Sequence, residues 1–373
     1  MLAAAPDTCR VIRTEEYFLG IEGGGTRTVA LLADAAGRLV RRVEAGPGDV
    51  RLLTDGAMVA RLREVARDLP RPAAMTIGLA GAREEAQWRS IRAAAAQVWP
   101  GVPCLATNEF ETALAAGEPT GRGGRRGTPV AARVLVHSGT GSCCYARADD
   151  GRTATFGGWG HILGDKGSGY EIGLRALKAV VFYYDRDGIW SALGGRLLRR
   201  LQLDEPSDLI GWVQTAGRMD IAALAPEVFA AWPGPNSDGG NARAARQRGP
   251  TGTKRDPIAR DILEGAAHSL AKDAVGCAKK LVRPGAPVDF VLAGGVLLHQ
   301  PAFARKVARG IRALWPGARV APLARESAWG AVVLAQGLAK SALAPTARGI
   351  HAASARGVRA GANAVRRSVG EAA

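Results

Sequence analysis

No run of apolar residues in this 373-residue chain approaches the ~20 needed to cross a bilayer, so a membrane-spanning helix is not expected. Residues 1–16 lack a basic start followed by a long apolar core, so no secretory signal is read there, and the expected location is the cytoplasm. Cysteine is scarce and odd in number. Cys9, Cys104, Cys143, Cys144 and Cys277 show no metal-ligand spacing, which argues against a disulfide framework or a zinc site and for reduced thiols. The adjacent pair Cys143-Cys144 lies in a strand-like segment, where alternate side chains face opposite ways, so the two thiols are not placed to share one cluster. Aromatic residues make up only 5% of the chain, and none interleaves with its basic stretches to stack bases.

Acids are also short relative to bases, leaving a net charge of +16. The excess is local. Residues 121–133 carry four Arg and no acid. Residues 239–260 carry six bases against Asp256, and residues 340–373 carry six against Glu371. Together these three Gly-, Pro- and Ala-rich segments hold +14, outside every motif described below, so nucleic acid is not expected as a specific partner.

What the chain does have is glycine, in clusters that follow short apolar strands. In Tyr17–Ala33, YFLGIEGGGTRTVALLA, an apolar run stops at Glu22 and Gly23-Gly24-Gly25, then resumes from Thr28. This predicts a β-hairpin with strands at 17–21 and 28–33. Its tip reads either as an ordinary glycine turn or as a phosphate cradle, in which glycines at positive φ expose successive N–H groups and Thr26 and Thr28 add hydroxyls. Glu22 could hold a hydrated divalent cation by charge. The design recurs: strand 134–136, the turn Ser138-Gly139-Thr140-Gly141-Ser142, then an apolar segment 143–146. Two such loops about a hundred residues apart favour the cradle and suggest two related halves gripping one nucleotide. A third turn, Gly294-Gly295, follows strand 288–292 and opens a helix, where a flat ring could approach the backbone.

Between these motifs, residues 38–44 complete a three-stranded meander. Residues 55–68 and 84–98 read as helices, 74–79 as a buried strand and 104–106 as a short one. That order predicts a mixed sheet flanked by helices. Asn108 and Glu109 follow the last strand and precede a helix at 111–116, where ligands bind in open α/β sheets. Glu109 reads either as an acid favoured by the helix dipole or as a catalytic carboxylate. Residues 152–156 form a strand leading into Gly157-Gly158-Trp159-Gly160-His161-Ile162-Leu163-Gly164-Asp165, whose glycines, aromatic and acid suit a sugar ring. Ser168 with Glu171 forms a capping box for a helix through Ala179, and helices continue to Ala231. Residues 232–257 read as a loop, 258–282 as one long helix, and 301–314 and 326–338 as the closing helices.

The ordered series LGIEGGGTRT, TNE, SGTGS, GGWGHILGDKGSGYEIG and LAGGV resembles the sugar kinases of the acetate-kinase/hexokinase/actin-like superfamily. Within them it is most similar to the N-acetylglucosamine kinases, in the wider group that also holds the BadF-type ATPases. The resemblance runs from about Tyr17 to about Leu338. It implies a two-domain actin-like, ribonuclease H-like fold with nucleotide between the domains, here 17–130 and 131–339, between unstructured ends at 1–16 and 340–373 and with a flexible loop at 233–257. It also implies ATP with Mg²⁺. Phosphates would lie on Gly24, Gly25, Thr26 and Thr28 and on Ser138, Gly139, Thr140 and Gly141, adenine near Gly294 and Gly295, and the metal near Glu22. Asn108, Gly158, Trp159 and Asp165 would hold an amino sugar such as N-acetylglucosamine, glucosamine or N-acetylmuramic acid, and Glu109 would take its hydroxyl proton, that on C6 being expected. The family usually carries Asp where Glu22 and Glu109 stand, and Glu where Lys166 stands. Homodimers are common among such proteins. The competing expectations are an ATPase that activates a radical enzyme and a sugar-binding regulator without transfer activity.

Overall fold

The computed structural model describes residues 16–117, 130–232 and 256–343. The expected N-terminal arm and the loop at 233–257 lie almost wholly outside them, as does the basic tail. The last helix runs on to Leu343, past the expected start of that tail at residue 340.

Among the described residues, ten strands form two five-stranded sheets of the same design. In the first, β1 (Tyr17–Gly23), β2 (Thr28–Asp34) and β3 (Leu39–Ala45) make an antiparallel meander, and β4 (Ala74–Leu79) and β5 (Cys104–Asn108) add in parallel on the other side of β1. The second repeats the plan. Its meander is β6 (Ala132–Ser138), β7 (Ser142–Ala148) and β8 (Thr153–Gly157), and β9 (Val288–Ala293) and β10 (Arg319–Pro322) add in parallel beside β6. Strands β1, β2 and β4 are buried almost throughout, as near-continuous apolar runs require when helices cover both faces. The edge strand β10 was not expected from sequence: Arg319 to Pro322 is too short and too exposed to carry a periodic signal.

Helices α1 (Asp55–Ala66) and α2 (Glu85–Val98) cover one face of the first sheet, burying Met58, Val59, Leu62, Val65 and Ile91. Helix α3 (Glu109–Ala116) follows β5, capped by Asn108, whose side-chain oxygen accepts from the N–H groups of Phe110 and Glu111. The second half is elaborated by α4 (Gly169–Asp187), α5 (Ala192–Leu201), α6 (Asp208–Thr215), α7 (Arg218–Ala222) and α8 (Ala225–Ala231). The long α9 (Pro257–Lys279) spans its core, followed by α10 (Gly295–His299) and α11 (Pro301–Leu314).

The last helix, α12 (Ser327–Leu343), groups with the second half by chain order, yet it packs on the first sheet. Ala328, Val332 and Ala335 sit in one apolar cluster with Phe18, Val29, Leu31, Ala33 and Ala74. Helix α3 makes the reciprocal crossing: Ala113 and Leu114 cluster with Leu135, Tyr145, Val291 and Ala293 of the second sheet. The two crossing helices meet at Gly330, where a Cβ would lie 1.8 Å from the Thr112 carbonyl oxygen. This paired crossover joins the halves and leaves the hairpin tips on the cleft between them.

Candidate active site

The strand pairings carry both glycine tips. Gly23 pairs with Thr28 across β1 and β2, and Ser138 pairs with Ser142 across β6 and β7, leaving turns at 24–27 and 139–141. The Gly24 N–H donates to the Arg27 carbonyl at 2.8 Å, and the Gly139 N–H to that of Gly141 at 2.9 Å. The expectation of positive φ at these tips does not hold: the positive-φ glycines include Gly157, Gly158 and Gly294 but none of Gly23, Gly24, Gly25, Gly139 or Gly141. Space accounts for glycine at 23 and, against the Arg218 side chain, at 141, but not at 24 or 25. A Cβ on Gly23 would lie 2.7 Å from the Leu79 side chain, and one on Gly141 only 2.3 Å from Arg218 Nη2. A Cβ on Gly25 would have no atom of the described residues within 4 Å apart from its own chain neighbours.

Two predicted hydroxyl donors turn inward. Thr28 is buried and its Oγ1 donates to the Gly46 carbonyl at 2.8 Å, while the buried Ser138 hydroxyl donates to the Gly167 carbonyl at 2.8 Å. Both staple the hairpins to neighbouring loops, whereas Thr26 stays exposed at the tip. Gly294, at φ +88°, packs on the Ser138 backbone so closely that a Cβ would lie 2.3 Å from its carbonyl oxygen. This turn and the second hairpin border a cavity of about 390 Å³ lined by Thr140, Val296, His299, Ala222, Pro226 and Phe229, among others. Its mostly apolar wall suits a flat heteroaromatic ring.

The acids converge at the ends of β1 and β5. Burial is the main cause that pushes the Glu22 carboxyl up to about 7, with Glu109 and Glu326 adding to it and Arg27 opposing. Burial likewise pushes Glu109 up to about 7, Asp49 adding, while its own backbone N–H, Arg83 and Arg51 oppose. Both carboxyls are half-buried, and the charge on Glu109 adds to the burial that raises Glu22. Asp49 accepts from Arg51 at 2.6 Å; burial works against its ionisation, but Arg51, with Arg218 adding, holds it below the ordinary carboxylate range. His137, half-buried with its ring edge-on to Phe110, is pushed down to about 4 by loss of hydration, against the raising charge of Asp165, and is neutral at physiological pH.

The predicted sugar loop faces this cluster. Arg83 of the first half donates from Nη1 to the Gly158 carbonyl at 3.3 Å. Trp159 is 76% exposed, with Ile162 and Leu163 also open, so this loop presents an apolar surface to solvent. Asp165 is buried and both its oxygens are engaged: Oδ1 accepts from the Ser142 N–H at 3.0 Å and Oδ2 lies 3.2 Å from Arg218 Nη2. Asn108 spends its side-chain oxygen on the α3 cap. Cys143 lies beside Gly158 whereas Cys144 sits in the core of the second half, so the vicinal thiols do point apart. Arg51, Arg83, Asp49 and Arg218 escaped the sequence reading. Arg83 follows a strand end as Glu109 does, a positional signal that was available; Arg218 lies in the helical elaboration with no motif around it.

Two mixed sheets of duplicated plan, each with a glycine hairpin on a shared cleft, define an actin-like nucleotide-binding fold. The chain belongs to the BadF/BadG/BcrA/BcrD ATPase family, whose pattern matches residues 19–335. It is 28% identical over 331 residues to an N-acetylmuramic acid/N-acetylglucosamine kinase of Clostridium acetobutylicum, covering 86% of this chain and 98% of that one. A Dictyostelium discoideum N-acetyl-D-glucosamine kinase is 26% identical over 58% of this chain and 71% of its own. Among solved structures, a Chromobacterium violaceum protein assigned as an N-acetylglucosamine kinase superposes with a TM-score of 0.60 at 25% identity, covering 86% of this chain and 98% of that one.

Proposed function

We propose that this protein is an ATP-dependent kinase of an amino sugar, transferring the γ-phosphoryl group to a hydroxyl of N-acetylglucosamine, glucosamine or N-acetylmuramic acid, with C6 as the acceptor position. The observation that carries it is the pair Glu22 and Glu109, set at two strand ends beside a glycine hairpin and both pushed up to about 7. A carboxyl poised near the working pH is suited to accept a proton from an attacking hydroxyl. The kinase names of the relatives support the same reading.

The residues present fit the nucleotide. The apolar cavity beside Gly294 and Gly295 would take adenine, and the open backbone at Gly24, Gly25 and Thr26, with Gly139, Thr140 and Gly141, would take phosphates from the two sides. Among the described residues no group of three or more His, Cys, Asp or Glu forms a metal cage, so Mg²⁺ would be held mainly by phosphate and water with Glu22 in its outer shell. When bound, it would neutralise charge on the β- and γ-phosphates. Glu109 orients the acceptor hydroxyl and takes its proton as the sugar oxygen bonds to phosphorus and the bond to the β-γ bridging oxygen breaks. Gly158 and Trp159 would bear on the sugar, and Asn108 and Asp165 would shape its pocket from their fixed positions. Lys166, Asp273, Leu163 and Trp159 border a smaller cavity of about 130 Å³, a size that suits one sugar substituent. The lobes 17–130 and 131–339, with α12 lying across the first, would close on the sugar and exclude water.

Measuring ADP release with Mg²⁺ and ATP across N-acetylglucosamine, glucosamine, N-acetylmuramic acid and glucose, beside a no-sugar control, tests this. Release that depends on one amino sugar and vanishes in Glu109→Ala is expected. Sugar-independent turnover would replace the kinase with an activator-type ATPase.

A further inference from the structure

Arg218 is absent from the motifs that define the site, yet its placement is closely determined. It opens α7, whose start is fixed by Asp220 accepting the Gly217 N–H at 2.8 Å. Helix α7 is clamped on α4 at Gly173, where a Cβ would lie 2.1 Å from the Ile221 carbonyl oxygen. The N-terminus of α4 in turn holds the second hairpin, since the Gly169 N–H donates to the Gly139 carbonyl at 2.8 Å. This chain of close contacts lays the guanidinium over Gly141, with Nη2 2.3 Å from where a Cβ would be.

Three observations mark the guanidinium as poised for an anion. Among the described residues only Nη2 has a hydrogen-bonded acceptor, Asp165 Oδ2 at 3.2 Å, and Nε is buried with no hydrogen-bond partner. A buried donor without an acceptor is costly unless a ligand supplies one. The side chain is 37% exposed, so the group is open to a solvent-borne ligand. The guanidinium sits over the Gly141 turn of the second hairpin, and its charge also reaches Asp49 of the first half, so it bears on both halves of the site.

Resting on the kinase reading above, we infer that Arg218 is the cationic residue that grips the β- and γ-phosphate end of the nucleotide and stabilises charge on the transferred phosphoryl group, with Asp165 aiming it. The fork of a guanidinium suits two phosphate oxygens at once, which a lysine ammonium cannot match. Glycine at 141 then serves to let this fork reach the turn.

The test is the affinity of wild-type, Arg218→Ala and Arg218→Lys proteins for ATP, ADP and AMP with Mg²⁺ and no sugar, by calorimetry, followed by kcat with the sugar. In Arg218→Ala, ATP affinity is expected to fall at least about tenfold with AMP affinity changed by no more than about twofold, and kcat to fall at least about 100-fold. Arg218→Lys, which retains charge and stem, should recover ATP affinity more than kcat. Equal losses for AMP and ATP in both variants would show Arg218 to be only a brace for the hairpin, and unchanged ATP affinity and kcat would remove it from the site; either outcome overturns the inference. A wild-type protein that binds no nucleotide would overturn the kinase reading itself, and this inference with it.

Discussion

At the scale of single residues, the site is a balance of charges that burial has made expensive. Glu22 and Glu109 begin from an ordinary 4.5 and are each pushed up to about 7 by burial, with Glu109 adding at Glu22 and Asp49 adding at Glu109. The sign of the consequence is definite. A carboxyl whose folded pKa is raised binds its proton more tightly in the folded state, so its contribution to stability is present below about 4.5 and lost as pH rises towards 7. Glu109→Gln should therefore abolish sugar-dependent ADP release while raising the melting temperature at pH 8 and leaving it nearly unchanged at pH 4.5. The expected gain at pH 8 is about 1–2 kcal/mol, since water in the cleft screens part of the penalty. In the wild type, kcat/KM should climb as pH rises through about 7, because only the deprotonated carboxylate can accept the hydroxyl proton. A flat profile from pH 6 to 8 would count against Glu109 as the base. Glu22 and Glu109 were legible in the sequence because strand ends and glycine turns mark where ligands approach. That Thr28 and Ser138 turn their hydroxyls to Gly46 and Gly167 was not, since the acceptors lie 18 and 29 residues away and only the fold brings them near.

At the scale of elements, the pair α3 and α12 decides how the halves are held. Each follows the last strand of one sheet and buries apolar residues on the other, and the two touch through Gly330. A methyl at that position would meet the Thr112 carbonyl oxygen at 1.8 Å and the Ala116 nitrogen at 2.4 Å, both backbone atoms that cannot swing aside. Gly330→Ala is accordingly expected to cost about 3 kcal/mol or more, read as a lower denaturation midpoint. Gly337 lies on the same helix, exposed and with no atom of the described residues within 4 Å of an added Cβ. Gly337→Ala should stabilise by up to about 1 kcal/mol through helix propensity alone, which separates close packing from any general intolerance of α12 to alanine. Most elements were readable from their apolar period: β4 and α11 match the expected bounds, and the glycine hairpins announced the duplication. The crossing of α12 was hidden, because its pattern says that a face is buried but not against which sheet.

At the scale of the whole molecule, two copies of one strand plan share a cleft, and the charge of the chain is divided from its chemistry. The cleft carries acids held near neutrality and a few arginines with defined partners: Arg51 on Asp49, Arg83 on the Gly158 carbonyl and Arg218 on Asp165. By contrast, 14 of the 16 net positive charges fall in residues 121–133, 239–260 and 340–373, most of which lie outside the described residues. None of the site residues described above lies in 345–373, and surface charge is screened within about 10 Å at 0.1 M salt, so the kinase reading expects the tail's bases to leave transfer and the pair Glu22 and Glu109 unchanged. Deleting residues 345–373 leaves every described strand and the whole of α12 in place, since that helix ends at Leu343. Sugar-dependent turnover of the shortened chain is therefore expected to stay within about twofold of the full-length protein at 0.1 M salt. Retention on an immobilised polyanion at low salt should weaken in the same protein, because that interaction scales with the number of bases and owes nothing to the cleft. Loss of turnover on deletion, with nucleotide affinity also reduced, would instead bring the tail into the site and break the separation of charge from chemistry.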